Sequence, residues 1–311
     1  MVGPPPARPY LAPVSRTWPI LAIVLLSHAL PPAVPAARAQ HSEPPEVTSQ
    51  ALFHIALEAR RRGDEHLAAA VLERVVRLDP GAVLPRLEWA EALLTLQEPE
   101  LVEALLVPVA ERVEAEAGER PDAAARYFRL RGNAAARAGR SADALALYER
   151  AIDLAPEDLG LRGLIVSMYR SGGDEVGAAR HLVAAASLRP GDADLRIEAG
   201  RALLAVRRFA EAEDEFRIAL RIDLWAVRAW QGLGESLTGQ RKWADAEEVF
   251  RGAIRLAPDS VPLQELLGDA LLADGRTKEA LLWYRRAAAL PGADAQTLTR
   301  KIEQAQAQIR P

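Results

Sequence analysis

"WQGLGESLTGQRKWADAEEVFRGAIRLAP", residues Trp230 to Pro258, is the stretch that decides the fold. Leu233 and Gly234 are followed at fixed steps by Ala246, Phe250, Ala253 and Pro258, so small, large and small residues alternate at helical spacing. The pattern recurs. Stepping back from Pro258 by 34 residues at a time meets Leu224, Pro190 and Pro156, and stepping forward meets Gly292, one residue after Pro291. A period of about 20–50 residues is the signature of a stacked array of like units. Seven units fit this phase, at 49–82, 83–116, 125–158, 159–192, 193–226, 227–260 and 261–294.

Composition agrees with helices. Alanine and leucine dominate the 311 residues, aromatics make up 5%, and strong helix formers outnumber β-branched clusters. Cysteine is absent, which excludes disulfides, a thiol nucleophile, zinc–thiolate sites and a lipid-modified N-terminal cysteine.

Residues 1–39 differ from the rest. They hold Arg8, Arg16 and Arg38 but no acid, an apolar run from Ile20 to Leu30, and then Ala37 and Ala39 in an A-x-A arrangement. This order predicts a secretory signal peptide cleaved after Ala39, with an uncleaved anchor as the alternative. The run falls short of the roughly 20 residues that a membrane-spanning helix needs. No Arg-Arg pair precedes it, which favours a general secretory route over twin-arginine export. An exported, periplasmic location in a bacterium is therefore expected, with no membrane span after signal removal. Cleavage would leave 36 basic against 43 acidic residues. That acidic balance lacks the basic footprint of a nucleic-acid binder.

The repeat resembles the tetratricopeptide repeat (TPR) family, whose unit carries a large residue, Leu-Gly, an aromatic, Ala, an aromatic, Ala and Pro over 34 residues. Unit 227–260 matches through Trp230, Leu233, Gly234, Leu237, Ala246, Phe250, Ala253 and Pro258. Unit 125–158 supplies Phe128, Gly132, Gly139, Ala144, Tyr148, Ala151 and Pro156. Unit 159–192 supplies Tyr169, Gly173, Ala178, Ala185 and Pro190; unit 193–226 supplies Gly200, Ala212, Phe216 and Ala219; unit 261–294 supplies Leu267, Gly268, Ala280, Tyr284 and Ala287. The first unit is weaker, with Ile55, Gly63, Ala68 and Pro80. The resemblance covers about three quarters of the chain and implies an all-α, right-handed α-solenoid. Its parts would be about seven helix-turn-helix units and a capping helix at 295–311, behind an unfolded lead-in at 40–48.

Packing gives the physical reason for the motif. Gly132, Gly200, Gly234 and Gly268 lie inside first helices, where glycine costs about 1 kcal/mol relative to alanine. Close passage of a neighbouring helix would explain them, with Phe250 filling the space that Gly234, Ala246 and Ala253 leave. Pro156, Pro190 and Pro258 end second helices, and Asp158, Asp192 and Ser260 are placed to cap the next ones. Unit 83–116 departs from the pattern: Val102 replaces the small alanine, "QEPE" at 97–100 replaces the glycine turn, and Pro108 falls inside the second helix. Eight further residues follow at 117–124, either a longer loop or a hinge between the pair 49–116 and the five units of 125–294.

No catalytic constellation appears: there is no G-x-S-x-G, H-E-x-x-H or phosphate-binding loop. "SGGDEVG" at 171–177 falls on a repeat turn. His54 and His66 lack a third ligand, so no metal and no cofactor is expected. A non-enzymatic protein–protein interaction scaffold remains, serving an envelope, secretion or polysaccharide assembly complex. The alternatives are an export factor working with an outer-membrane barrel partner, and a homo-oligomer. The resemblance implies that the second, fifth, sixth, ninth, twelfth and thirteenth positions of first helices face a bound peptide. Carried over, these give Arg126, Arg129, Asn133, Ala136 and Arg137 in one unit, and Asp194, Glu198 and Arg201 in another. The last two units give Arg228, Gln231, Glu235, Glu265 and Asp269, and the first gives Gln50, Phe53, His54, Arg60 and Arg61. Such a groove would be basic at Arg126, Arg129 and Arg137 and acidic towards Asp269, suited to a segment of mixed charge. A carboxylate clamp of the kind some relatives carry is excluded, because Leu164 replaces its asparagine and Asp194 and Glu198 replace its basic pair.

Overall fold

The structure, a computed structural model, describes residues 48–309. The signal expected at 1–39, and the lead-in expected at 40–48 apart from Thr48, lie outside them. The described chain is helical throughout, with no strand. Its helices are α1 (Ser49–Arg61), α2 (Glu65–Leu78), α3 (Val83–Thr95), α4 (Pro99–Leu106), α5 (Ala110–Glu116), α6 (Pro121–Arg137), α7 (Ser141–Leu154) and α8 (Leu159–Ser171). They continue as α9 (Glu175–Leu188), α10 (Ala193–Ala205), α11 (Phe209–Ile222), α12 (Val227–Gly239), α13 (Trp243–Leu256), α14 (Val261–Ala273), α15 (Thr277–Ala288) and α16 (Ala295–Ile309). Apart from α4 and α5, which are joined through a 3₁₀ turn, each packs on the next in sequence, and first helices of neighbouring pairs also touch, as α3 with α6, α10 with α12 and α12 with α14. No pair buries its apolar stripe alone, so the array is held by stacking, as an α-solenoid.

The turns explain the regular spacing. Gly63, Gly139, Gly173 and Gly275 sit at positive φ between the two helices of a pair, where a Cβ is disfavoured. Gln97, Arg207 and Arg241 take the same conformation, with φ between 61° and 63°, at a cost that glycine avoids. Asp158 and Asp192 cap the following helices by accepting from Leu161 N–H (2.9 Å) and Leu195 N–H (3.0 Å). Ser260, expected to do the same, makes no such bond.

Gly132, Gly200, Gly234 and Gly268 each receive an aromatic ring from their own pair, as expected of Phe250 on Gly234, and this ring, not the backbone of a neighbouring helix, stands closest. A Cβ on Gly132 would stand 2.5 Å from the Tyr148 ring and one on Gly268 2.5 Å from Tyr284. Gly200 and Gly234 stand in the same relation to Phe216 and Phe250, under 3.0 Å. Tyr148, Phe216, Phe250 and Tyr284 are buried, and Ala144, Ala212, Ala246 and Ala280 lie against the same core.

The irregular second pair is resolved by its prolines. Pro108 sits in a short 3₁₀ turn, Val107–Val109, that splits the expected second helix into α4 of 8 residues and α5 of 7. The loop expected at 117–124 is shorter than that, because Pro121 opens α6 at its first position, where a missing N–H is harmless. Val113 of α5 and Ala124 and Tyr127 of α6 share one core cluster, so the apolar core continues across 117–120. The core divides instead within α8: Ile165 belongs to a cluster reaching back to Leu87, and Val166 to one reaching forward to Ala305. Tyr169 packs against both.

Candidate binding groove

The first helices bring the groove residues to one face, and their partners decide what that face offers. Arg126 of α6 donates to Glu88 (2.8 Å) and Glu91 (2.7 Å) of α3, and Arg60 of α1 reaches the same two carboxylates, at 3.1 Å for Glu91. Burial pushes the Glu91 carboxyl up, but the bonds and charges of Arg126 and Arg60 outweigh it and hold the group below its ordinary value. Arg129 pairs with Asp158 at 3.2 Å, Asn133 accepts from the Tyr148 hydroxyl at 2.8 Å, and Arg137 donates to the Leu94 carbonyl. Of the basic stripe expected on α6, Arg126 and Arg129 are therefore paired within the protein, while Arg137 stays exposed. For Arg126 the cause is Glu88 and Glu91 in the irregular second pair.

The far end is closed in the same way. Lys301 of α16 donates to Glu265 and Asp269 of α14 at 2.7 Å each, and Asp269 also accepts from the Tyr284 hydroxyl at 2.8 Å. Burial lowers the Lys301 pKa, but the bonds to Asp269 and Glu265 more than reverse this and keep it charged. Asp194 and Arg228 pair with each other on the surface, and Glu235 accepts from Gln231 at 2.8 Å. The charge polarity expected along the groove is thus largely cancelled at both ends. Of the expected groove residues, Arg137, Glu198 and Arg201 keep exposed charges that form no ion pair among the described residues.

Between the two closed ends the face opens. A cleft of about 630 Å³ lies between α8, α9 and α10. Leu159, Val166, Leu182, Ala185 and Leu195 give it an apolar floor; Arg162, Arg170, Arg189, Asp192 and Glu198 form its rim. A smaller cleft of about 390 Å³ continues to α12, where Arg201, Arg228, Gln231 and Glu235 line it. The larger opening follows from what α8 lacks. Its second, fifth and ninth positions are Gly160, Gly163 and Ser167, where α6 carries Arg126, Arg129 and Asn133. Unlike the ring-bearing glycines, Gly163 has nothing within 4 Å of a built Cβ. It thus carries the helix penalty of glycine with no packing contact to account for it.

The rim is unevenly committed. Arg162 donates through Nε (3.0 Å) and Nη2 (2.7 Å) to the Pro156 carbonyl, and Asp192 serves as the α10 cap. Arg170 and Glu198 are exposed and unpaired among the described residues. One residue before Leu182, buried His181 bonds Glu149 through Nε2 at 3.0 Å, while its Nδ1 has no partner. Desolvation holds the His181 pKa below its ordinary value despite the Glu149 charge. Glu149 also accepts from Tyr169 (2.5 Å) and Arg180 (2.8 Å). The sequence reading named no residue of this cleft's α8 wall, because Gly160, Gly163 and Ser167 carry no chemistry of their own. The available signal was a helix glycine, Gly163, that no aromatic ring explains.

The family model for the tetratricopeptide repeat matches residues 125–158, and a second model for the tetratricopeptide repeat matches residues 232–295. The chain therefore carries repeats of this kind. No curated protein matches it. Among solved structures, a Naa15/Naa10 assembly bound to HypK-THB superposes with a TM-score of 0.64 at 15% identity, covering 83% of this chain and 39% of that one. The chain thus spans about two fifths of the length of that relative. The C-terminal part of a TPR repeat-containing protein from Cytophaga hutchinsonii matches with a TM-score of 0.46 at 16% identity, covering 83% of this chain and 100% of that one. The TPR2AB domain of yeast Sti1 in complex with a pHSP90 matches with a TM-score of 0.39 at 14% identity, covering 83% and 98%. At 15% identity the likeness to the Naa15/Naa10 structure is one of fold.

Proposed function

We propose that this chain is a non-enzymatic protein–protein interaction scaffold that receives a peptide or protein segment in the cleft between α8 and α10. The observation that carries the reading is the break in the charge pairing. Where α1, α3 and α6, and again α14 and α16, cancel their own charges, α8 withdraws its side chains and leaves an apolar floor open. A concave, mostly apolar site with few polar groups is the usual form of a binding site. The lining places no histidine beside Ser167, its one hydroxyl, so a nucleophile–base pair is not assembled there. The tetratricopeptide repeats support the reading, and the Naa15/Naa10 structure is itself described as a complex. The N-terminal order of Arg8, Arg16, an apolar run and Ala37-x-Ala39 supports export, most simply to a bacterial periplasm, and service in an envelope assembly.

The test is a photo-crosslinking residue at Ser167, which is exposed inside the cleft, compared with one at Arg77, which is exposed on α2. Crosslinks formed in the producing cell from position 167 and not from 77, and suppressed by Gly163→Leu, are the expected result. Equal yields from both positions would refute a binding role for the cleft.

A further inference from the structure

The loop between α11 and α12 breaks the repeat in a second way. Where other units place Pro156-Glu157-Asp158, Pro190-Gly191-Asp192 and Pro258-Asp259-Ser260, this one places Leu224-Trp225-Ala226. Trp225 is 73% exposed and Leu224 57%, with Ile222 also exposed beside them. The loop is braced: Trp225 N–H donates to Asp223 at 2.9 Å, and the Trp230 indole N–H donates to the Leu224 carbonyl at 2.8 Å. A large aromatic and a leucine are thus held out into solvent on an ordered turn that needs neither for its own packing. Clustered exposed apolar side chains mark interaction sites. Tryptophan is the residue most enriched among binding hot spots, and prior ordering of the turn lowers the cost of using it.

The cleft has the matching chemistry. Its floor of Val166, Leu182 and Leu195 accepts an indole and a leucine side chain, and its volume of about 630 Å³ lies in the range of sites that bury most of a ligand. The Arg162 and Arg170 guanidiniums at the rim suit an aromatic face. Asp223 on the loop and Arg221 in the last turn of α11 are opposite in sign to the unpaired Arg170 and Glu198 of the cleft, so the charges are complementary as well as the apolar groups.

We propose that Leu224 and Trp225 of one copy dock in the α8–α10 cleft of a second copy. This rests on the reading of the cleft as a receptor. Plug and cleft are different surfaces, so the contact is head-to-tail: every bound pair keeps one free plug and one free cleft, and association continues into a chain or closes into a ring. Self-association and capture of another protein then compete for one cleft.

Two variants test this on the chain purified from the cells that make it. Trp225→Ala removes an exposed plug, and Gly163→Leu fills the cleft at a helix position with open space around it, so neither disturbs the fold. Sedimentation velocity over a concentration series should show concentration-dependent association of the parent chain. Each variant alone should associate at least about thirtyfold more weakly, the loss expected of a hot spot. An equimolar mixture should give a discrete heterodimer and nothing larger, because one variant keeps only its cleft and the other only its plug. A parent chain that stays monomeric, variants that still associate, or a mixture that does not pair would each overturn the proposal. Crosslinks from Ser167 to a different protein, with the parent chain monomeric, would overturn it while leaving the scaffold reading intact.

Discussion

Gly132→Ala tests the packing logic of the whole array. Alanine in place of a helix glycine should gain about 1 kcal/mol. At Gly132, however, the new Cβ would stand 2.5 Å and 2.6 Å from two ring carbons of Tyr148, and the ring is buried. Reaching ordinary contact needs a shift of about 1 Å, and overpacking of this kind costs about 1–3 kcal/mol. The shift also draws the Tyr148 hydroxyl away from Asn133, which it meets at 2.8 Å, at about 1 kcal/mol more. The net expectation is a loss of about 1–3 kcal/mol. Gly163→Ala is the control: with nothing within 4 Å, it should show the helix gain alone. Urea titration followed by helical circular dichroism measures both, with the transition slope watched because stacked arrays can unfold in parts. If Gly132→Ala stabilised the protein as Gly163→Ala does, the account of rings seated on glycines would be wrong.

Two further outcomes follow from the charged groups. His181 is held neutral by burial, so its folded pKa lies below the ordinary 6.5 and the unfolded chain takes up the proton first. Stability should therefore fall as pH drops below about 6.5, and His181→Phe should flatten thermal stability just below that pH; an unchanged slope would exclude His181 as its source. The window stays above that of Glu149, whose folded pKa is held below 4.5 and whose contribution is lost only at lower pH. Glu149, Tyr169, Arg180 and Arg162 are the groups around the ring, and they are unaltered in the comparison. Reversing Arg126, Arg129 and Arg137 to Glu sets new acids against Glu88, Glu91 and Asp158. It should lower the unfolding midpoint and speed hydrogen exchange in α3 and α6, whereas an unshifted midpoint would show that those pairs do not hold the helices.

The fold was legible because each unit repeats one packing problem. Pairing Gly132 with Tyr148, or Gly268 with Tyr284, leaves the same trace at the same phase, and Pro156 or Pro190 marks where it restarts. The ring on Gly234 was legible in Phe250, and the same contact recurs at Gly132, Gly200 and Gly268 with no neighbouring backbone as near. The groove was less legible. Arg126 and Arg129 stood out as cations, but Glu88 and Glu91 lie in the pair whose motif Pro108 had broken, and Lys301 lies beyond the last repeat. A side chain at helical spacing shows which face it shares, not which carboxylate across the next helix neutralises it. The cleft was hardest to see, since Gly160, Gly163 and Ser167 matter by being small.

The division of the core within α8 has a mechanical consequence. Ile165 is the last buried residue of one apolar block and Val166 among the first of the next, and Tyr169 touches both. In an array held only by neighbours, such a place is where tension or partial melting separates the chain first. The cleft straddles this joint: one wall is the part of α8 ahead of the division, at Leu159 and Gly163, and the other is Val166 and Leu195 of the forward block. An occupant gripping both walls would act as a splint, and the protein would come apart at that joint under a smaller pull when empty than when filled.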